Sequence, residues 1–439
     1  MNHRQFLRLS AVLIAIFSFA GKGYSQINPN DSLELAPLII RVIRTYPTVQ
    51  QASEALNAAD LKIALARSAY LPNAEVSSSF AHIGPVPSLT LPDVGSFSLA
   101  PENNISALLN VNQTLTDFGK TKKNIAYEQK SRELSELGVD QAKQKISLAV
   151  VGCYYNMLYF QEAIVLKNEQ LKTLDEHLKN VEKKTETGSA TQYEILSTKV
   201  RISTVESQKT DAVTSFNLQN SYLNMLIGEP VTARNRIRKL LHSNLVPFAE
   251  DSLISVALNN RKELQIAEKK MGLSQAWQDL VRKHENPVLS AFASGGWKNG
   301  YIPELDKPKA NYTIGLSLLI PIYDAARTDL NTRLAGSSIR SNSFEVDLTK
   351  RTITNEVMEC INALKATIAK SALFEMQLSQ AKKALELADL KFKSGTLTNL
   401  DLLDAENAVS ESSLQLLKAK IERVVIDFRL KAALGINLY

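Results

Sequence analysis

The apolar positions of this chain change period along its first half, and the second half repeats the change. From Val49 they fall at Ala52, Leu56, Ala59, Ile63, Ala66 and Tyr70, alternating steps of three and four that predict a helix with a coiled-coil seam. Alanine in every other layer lets a neighbouring helix approach closely. Pro47 opens this helix with Thr45 as a candidate cap, a short helix over 31–44 precedes it, and Pro72 closes it. Beyond Pro72 the period is two. Ala74, Val76, Ser78 and Phe80 alternate with Asn73, Glu75, Ser77 and Ser79. Ile105, Ala107, Leu109 and Val111 alternate in the same way with Ser106, Leu108, Asn110 and Asn112. Two strands are predicted, over about 73–83 and 105–117, each with one apolar and one mostly polar face. The Pro-, Ser- and Gly-rich stretch 84–104 between them reads as a long loop.

After Asp117-Phe118-Gly119 the helical period runs unbroken to about Glu186. The turn Thr187-Gly188-Ser189-Ala190-Thr191 follows, and a returning helix reaches Ile227, where Gly228-Glu229-Pro230 stops it. This predicts a helical hairpin over about 119–227 with its tip at 187–191.

The second half is a copy of the first. Pro287 matches Pro72 at an offset of 215 and ends one helix running from Asp251. Strands follow over about 288–297 and 311–323. Tyr312, Ile314, Leu316 and Leu318 match Ile105, Ala107, Leu109 and Val111 at an offset of 207. That offset holds through a second hairpin, about 325–434, to Gly435, the match of Gly228. Its tip at 394–398 is Ser394-Gly395-Thr396-Leu397-Thr398, so Gly395 matches Gly188 (395 minus 188 is 207). The expected organisation is an export signal over 1–25, repeat 1 over 26–230, a linker over 231–250 and repeat 2 over 251–439. The signal rests on Arg4 and Arg8 ahead of an apolar run from Leu9 to Ala20 and the small-residue site Gly23-Tyr24-Ser25.

Helix lengths set the geometry. At 1.5 Å per residue the long helix spans roughly 100 Å, its returning partner about 57 Å and the Pro47 helix about 37 Å. The two short helices therefore stack end to end beside the long one, with the strands beyond the end remote from the glycine turn. Four amphipathic strands of bilayer-crossing length cannot close a barrel, and lipid does not tolerate open edges. Three copies supply twelve strands. Val76, Phe80, Leu109, Val111, Tyr312, Ile314, Leu316 and Leu318 then face lipid. A water-soluble sheet has the same alternation, but these helices offer its apolar face no partner.

Composition narrows the rest. Hydrophobic residues make up 44% and charged residues 22%, spread evenly, which suits long helices and not disorder. The net charge of +6 includes no basic run of the kind that tracks phosphates, so no nucleic-acid partner is expected. Arg234, Arg236, Arg238 and Lys239 in the linker read as a solvated stretch, or as a contact for peptidoglycan or a partner. Cys153 and Cys360 also lie 207 apart and read as two independent half-buried thiols. The histidines are neither paired for a metal nor set beside a nucleophile, and there is no phosphate-cradling glycine loop. Neither an enzyme nor a cofactor or metal site is expected.

The two turns carry the candidate chemistry. Thr191-Gln192-Tyr193-Glu194 and Thr398-Asn399-Leu400-Asp401 repeat one motif, and Asp404 follows Asp401 on the same helix face. On the residues alone, acids here are a solvated helix start favoured by the helix dipole.

The repeat, the strand–helix junctions Thr116-Asp117-Phe118-Gly119-Lys120 and Tyr323-Asp324-Ala325-Ala326-Arg327, the two turns and Ala432-Ala433-Leu434-Gly435 together resemble the TolC family, over essentially the whole mature chain. These are outer-membrane channels of tripartite efflux pumps and type I secretion systems in Gram-negative bacteria. The resemblance implies an α+β, mainly α fold, a homotrimer with a twelve-stranded barrel in outer-membrane lipid, and a helical tunnel through the periplasm. It implies that a periplasmic adaptor, and through it an inner-membrane transporter, docks at Gly188, Ser189, Ala190, Thr191, Gly395, Thr396, Leu397 and Thr398. It also places Asp401 and Asp404, with Glu194, in a cation-attracting constriction; Ser197 stands where the first repeat would match Asp404. Leu397 and Phe392 occupy the places of an arginine and a tyrosine that lock the best-known channel of the family, so closure by apolar packing and the acid ring is expected here. The rival reading is a soluble periplasmic coiled-coil scaffold or adaptor, which would share the export signal and hairpins but not the strand pairs.

Overall fold

A computed structural model describes residues 32–92, 95–239 and 250–439. The expected export signal and part of the linker lie outside the described residues. Helices α1 (Leu35–Thr45) and α2 (Pro47–Ser68) lead to strand β1 (Asn73–His82), a small hairpin β2 (Ser88–Leu91) and β3 (Gly95–Ser98), and β4 (Asn103–Thr116). The first hairpin is α3 (Lys120–Glu186) and α4 (Gln192–Ile227). The second half comprises α5 (Glu250–Asn260), α6 (Lys262–Val281), β5 (Val288–Lys298), β6 (Lys309–Leu319), α7 (Arg327–Lys393) and α8 (Asn399–Ala433).

The four long strands form one antiparallel sheet in the order β1-β4-β5-β6, with an unpaired edge on β1 and another on β6. The helices continue it in the same order: α2 packs on α3, α3 on α6 and α6 on α7. Farther from the sheet α4 and α8 take the places of α2 and α6. Arg132 of α3 meets Asp60 of α2 at 2.7 Å, whereas Glu182, fifty residues on, meets Lys199 of α4 at 3.4 Å. One long helix is thus flanked by two short ones in turn.

The strand-to-helix bends are alike in both halves. Phe118 and Gly119 take positive φ (49° and 96°), as do Ala325 and Ala326 (56° and 58°). Asp117 accepts from the Thr121 amide at 2.6 Å, and Asp324 from the Thr328 amide at 2.8 Å. Each carboxylate satisfies a first-turn N–H that the helix leaves free.

The main core lies midway along the helical part of the chain. Leu38, Ile39 and Val42 of α1 bury against Val150, Tyr154 and Leu158 of α3, Leu223 and Leu226 of α4, and Val424 of α8. Deeper in the hairpins buried Lys167 donates to Gln170 (3.0 Å), Gln208 (2.7 Å) and Ser410 (3.4 Å), so every ammonium hydrogen has a partner and α3, α4 and α8 are tied together.

Several expectations need correction. The stretch 84–104 contains the β2–β3 hairpin, with Leu89 opposite Phe97. The strand expected to reach 323 ends at Leu319, because Pro321 has no N–H to extend the ladder. Tyr70, expected in the seam, is exposed, since α2 stops at Ser68. The single helix expected from Asp251 is broken at Arg261, whose φ of −62° and ψ of 125° repeat those of Tyr46 (−73°, 127°) at the same offset of 215. The described part of the linker is pinned to the helices, although Arg234, Arg236, Arg238 and Lys239 are all exposed, as expected of a solvated stretch. Ile237 is buried and bridges Leu33, Gln161 holds its N–H and C=O, and the Tyr154 hydroxyl donates to Arg238 O at 2.7 Å. Arg238 and Lys239 pair with Glu34 and Glu162.

Candidate functional site at the hairpin tips

Both tips are built alike. Gly188 and Gly395 take φ of 74° and 75°, and the amides of Ser189 and Thr396 reach back to Lys184 O (2.8 Å) and Lys391 O (2.9 Å). This closes each long helix and reverses the chain within a few residues. Gly188, Ser189, Thr191, Gly395, Thr396 and Thr398 are exposed, and Ala190 and Leu397 half-buried.

Two of the three expected acids turn back onto their own helix starts. Glu194 accepts from Thr191 Oγ1 at 3.3 Å, and Asp401 from Thr398 Oγ1 at 2.6 Å, while Thr398 Oγ1 accepts the Asp401 amide. Only Asp404 reaches the other hairpin. Its Oδ1 lies 3.0 Å from Arg201 Nη2 of α4, and its side chain is 65% exposed.

Asn399 binds the tips from beneath. Its Oδ1 lies 2.5 Å from His177 Nε2, and its Nδ2 faces Glu194 O (3.3 Å), Ser197 Oγ (3.3 Å) and Thr198 Oγ1 (3.2 Å). Ser197, at the place matching Asp404, thus serves this hub instead of adding a charge. Phe392 packs beside His177, ring centroids 5.3 Å apart, and beneath Lys184, whose ammonium is 4.2 Å from the ring centre. An apolar ring with a cation above it therefore stands where the best-known channel of the family has its lock tyrosine. Arg201, Asn399, His177 and Lys184 were not singled out by the sequence. Asn399 matches Gln192 in the twin motif, which was the one available signal.

Glu406, one helical turn beyond Leu402, is the perturbed acid of this region. Burial, and then the nearby Asp389, push its carboxyl up to about 7, with Arg201 opposing, and its Oε2 has no hydrogen-bond partner. Cys153 is buried, its thiol pushed up to about 12 by burial, and Cys360 is half-buried. Among the described residues no group of His, Cys, Asp or Glu is placed to hold a metal ion, and no helix is long and apolar enough to cross a membrane.

On the sheet, the apolar positions share one face. Val76 pairs with Leu109, Leu109 with Gly295 and Gly295 with Tyr312; Val111 lines up through Ala293 with Ile314. Tyr312 and Ile314 are 81% and 77% exposed.

One amphipathic four-stranded sheet, two strands from each half of the chain, continued by roughly 100 Å of helix from each half, defines an outer-membrane exit duct that extends into the periplasm. The chain belongs to the outer membrane efflux protein family, whose model matches residues 38–229 and 253–436. It is similar to the alkaline protease secretion protein AprF of Pseudomonas aeruginosa, 23% identical over 75% of this chain and 69% of that one. It is also similar to the outer membrane protein TolC of Escherichia coli, 21% identical over 97% and 87%. The crystal structure of the outer membrane protein VceC from Vibrio cholerae superposes with a TM-score of 0.76 at 18% identity, over 92% of this chain and 97% of that one.

Proposed function

We propose that three copies of this chain assemble into one duct, a twelve-stranded barrel in outer-membrane lipid continued by a closed helical tunnel. The observation that carries this reading is the open sheet: β1 and β6 each leave an edge unpaired, and the helices joined to them leave apolar edges in line with those strands. Leu61 and Leu65 of α2 stand exposed on one side, Leu330, Leu334 and Phe344 of α7 on the other. A head-to-tail contact that joins these edges closes on itself after three copies. The protomer exposes 28294 Å² of surface, against roughly 17,000 Å² for a compact monomer of its mass. In the barrel Val76, Phe80, Leu109, Val111, Tyr312, Ile314, Leu316 and Leu318 face lipid.

The tips face the periplasm. Their exposed turn residues, 188–191 and 395–398, form the surface for a periplasmic adaptor, which links the duct to an inner-membrane transporter. Asp401 and Asp404, with Glu194, ring the narrow end and favour cations there. The mass of the protein extracted by detergent from the outer membrane of a Gram-negative host tests the assembly. A trimer is expected; a monomer or dimer that needs no detergent overturns it.

A further inference from the structure

The polar face of the sheet is mostly Ser, Thr and Asn, with Glu75, Lys298 and Lys309 charged and the apolar pair Val288 and Leu319 at its helix-side end; two bulky apolar residues, Leu108 and Phe292, lie farther in. Each stands directly opposite a glycine: Leu108 opposite Gly296, and Phe292 opposite Gly315. The second pair is the more specific. A Cβ on Gly315 would lie 2.5 Å from Cζ and 2.9 Å from Cε1 of Phe292, so the outer edge of the ring fills the space a side chain at 315 would take. An aromatic laid over a cross-strand glycine also shields the ladder, which is the purely architectural account of the contact. That account gives no reason for the ring to be on this face. The row across the sheet at its level is Asn73, Asn112, Phe292 and Gly315, and the next row is Glu75, Asn110, Ser294 and Thr313. Phe292 is the single aromatic among these eight positions.

Over 104–110 of β4 the polar face is the half-buried one, while Ile105, Ala107 and Leu109 are exposed. At the level of the ring the contrast is lost, with Val111 half-buried and Asn112 exposed, so the ring's place on the inner wall follows from the barrel reading above, in which the apolar face meets lipid and the polar face lines the lumen. We propose that Phe292 is a solute-contacting residue of the barrel lumen, held against the wall by Gly315, and that this pair sets the width of the lumen at its level. This rests on the trimeric reading above, which brings three such rings to one height. The solutes it favours carry a planar apolar face, for which an aromatic ring on a wall of hydroxyls and amides is the one stacking surface in the row.

Single-channel conductance of detergent-extracted protein in planar bilayers tests the pair, with proflavine, a planar aromatic cation, added as a blocker. Gly315→Ala adds only a methyl to the wall but removes the ring's seat, so the ring turns into the lumen and conductance falls. Phe292→Ala conducts at least as well as wild type and loses block by proflavine. The double variant returns to the level of Phe292→Ala, and since it contains no clash it also controls for folding. Wild-type conductance in Gly315→Ala, an undiminished fall in the double variant, or unchanged block in Phe292→Ala overturns the proposal. A wild-type protein that is trimeric and conducts in each of those cases leaves the duct itself standing, whereas a wild type that forms no channel overturns the trimeric reading and this assignment with it.

Discussion

Arg201 and Asp404 form the ion pair that joins the two hairpins of one protomer near their tips, Nη2 to Oδ1 at 3.0 Å. An exposed pair of this kind contributes about 0.2–1 kcal/mol, so its weight lies in the charge it masks, not in stability. Arg201→Ala is expected to leave thermal unfolding nearly unchanged and to raise cation preference, measured as the reversal potential in a salt gradient. Asp401→Ala combined with Asp404→Ala is expected to move that potential the other way. If neither variant shifts it, these acids do not line the path.

Asn399 holds more than Asp404 does, because it is buried and four groups face its amide. Removing it strands His177 Nε2 in a dry site, worth about 1–3 kcal/mol when left unsatisfied, whereas the Thr198 hydroxyl keeps Glu194 O as its acceptor at 2.8 Å. Asn399→Ala should therefore lower the urea midpoint clearly and make the tips cleavable by protease. A variant with wild-type protection at 188 and 395 would show that the glycine turns hold the tips unaided.

How far the sequence disclosed this depends on whether each feature is recorded locally. The bounds of α3 and α4 at Glu186 and Ile227 were legible because a glycine of positive φ follows each end. The break at Arg261 was not, because Lys262 stands where the first repeat has Pro47, so the same bend carries no helix breaker. The β2–β3 hairpin was hidden in a stretch whose prolines and serines mask a short alternation. The Arg201–Asp404 and His177–Asn399 pairs join residues 203 and 222 apart. Their meeting depends on the relative height of two hairpins, which no local pattern states.

Glu406 makes the tips sensitive to pH. Its carboxyl titrates at about 7 in the folded protein, against about 4.3 in an unfolded chain. Between these values the folded state retains a proton that the unfolded state has released, so stability falls as pH rises across this window and is level above it. Glu406→Gln should leave the melting temperature at pH 4 unchanged and raise it at pH 8, by the equivalent of about 3–4 kcal/mol. Equal shifts at both pH values would assign the effect to packing and not to the charge.

Gly228 and Gly435 end the two returning helices with nearly the same φ, 73° and 74°, yet their surroundings differ. Nothing lies within 4 Å of where a Cβ on Gly228 would be, whereas one on Gly435 would meet Asn260 C at 2.7 Å and Arg261 N at 2.9 Å. Gly435 thus packs against the backbone where α5 breaks from α6, and Arg261 secures the contact by donating to Ala433 O at 3.3 Å. Either glycine replaced by alanine bears the left-handed penalty of about 1–2 kcal/mol. Gly435→Ala must also displace main chain, which costs about 1–3 kcal/mol more. Helical ellipticity followed through urea unfolding should therefore rank wild type, Gly228→Ala and Gly435→Ala in falling order of midpoint. Equal midpoints for the two variants would show that the Asn260–Arg261 break yields freely and is not seated on Gly435.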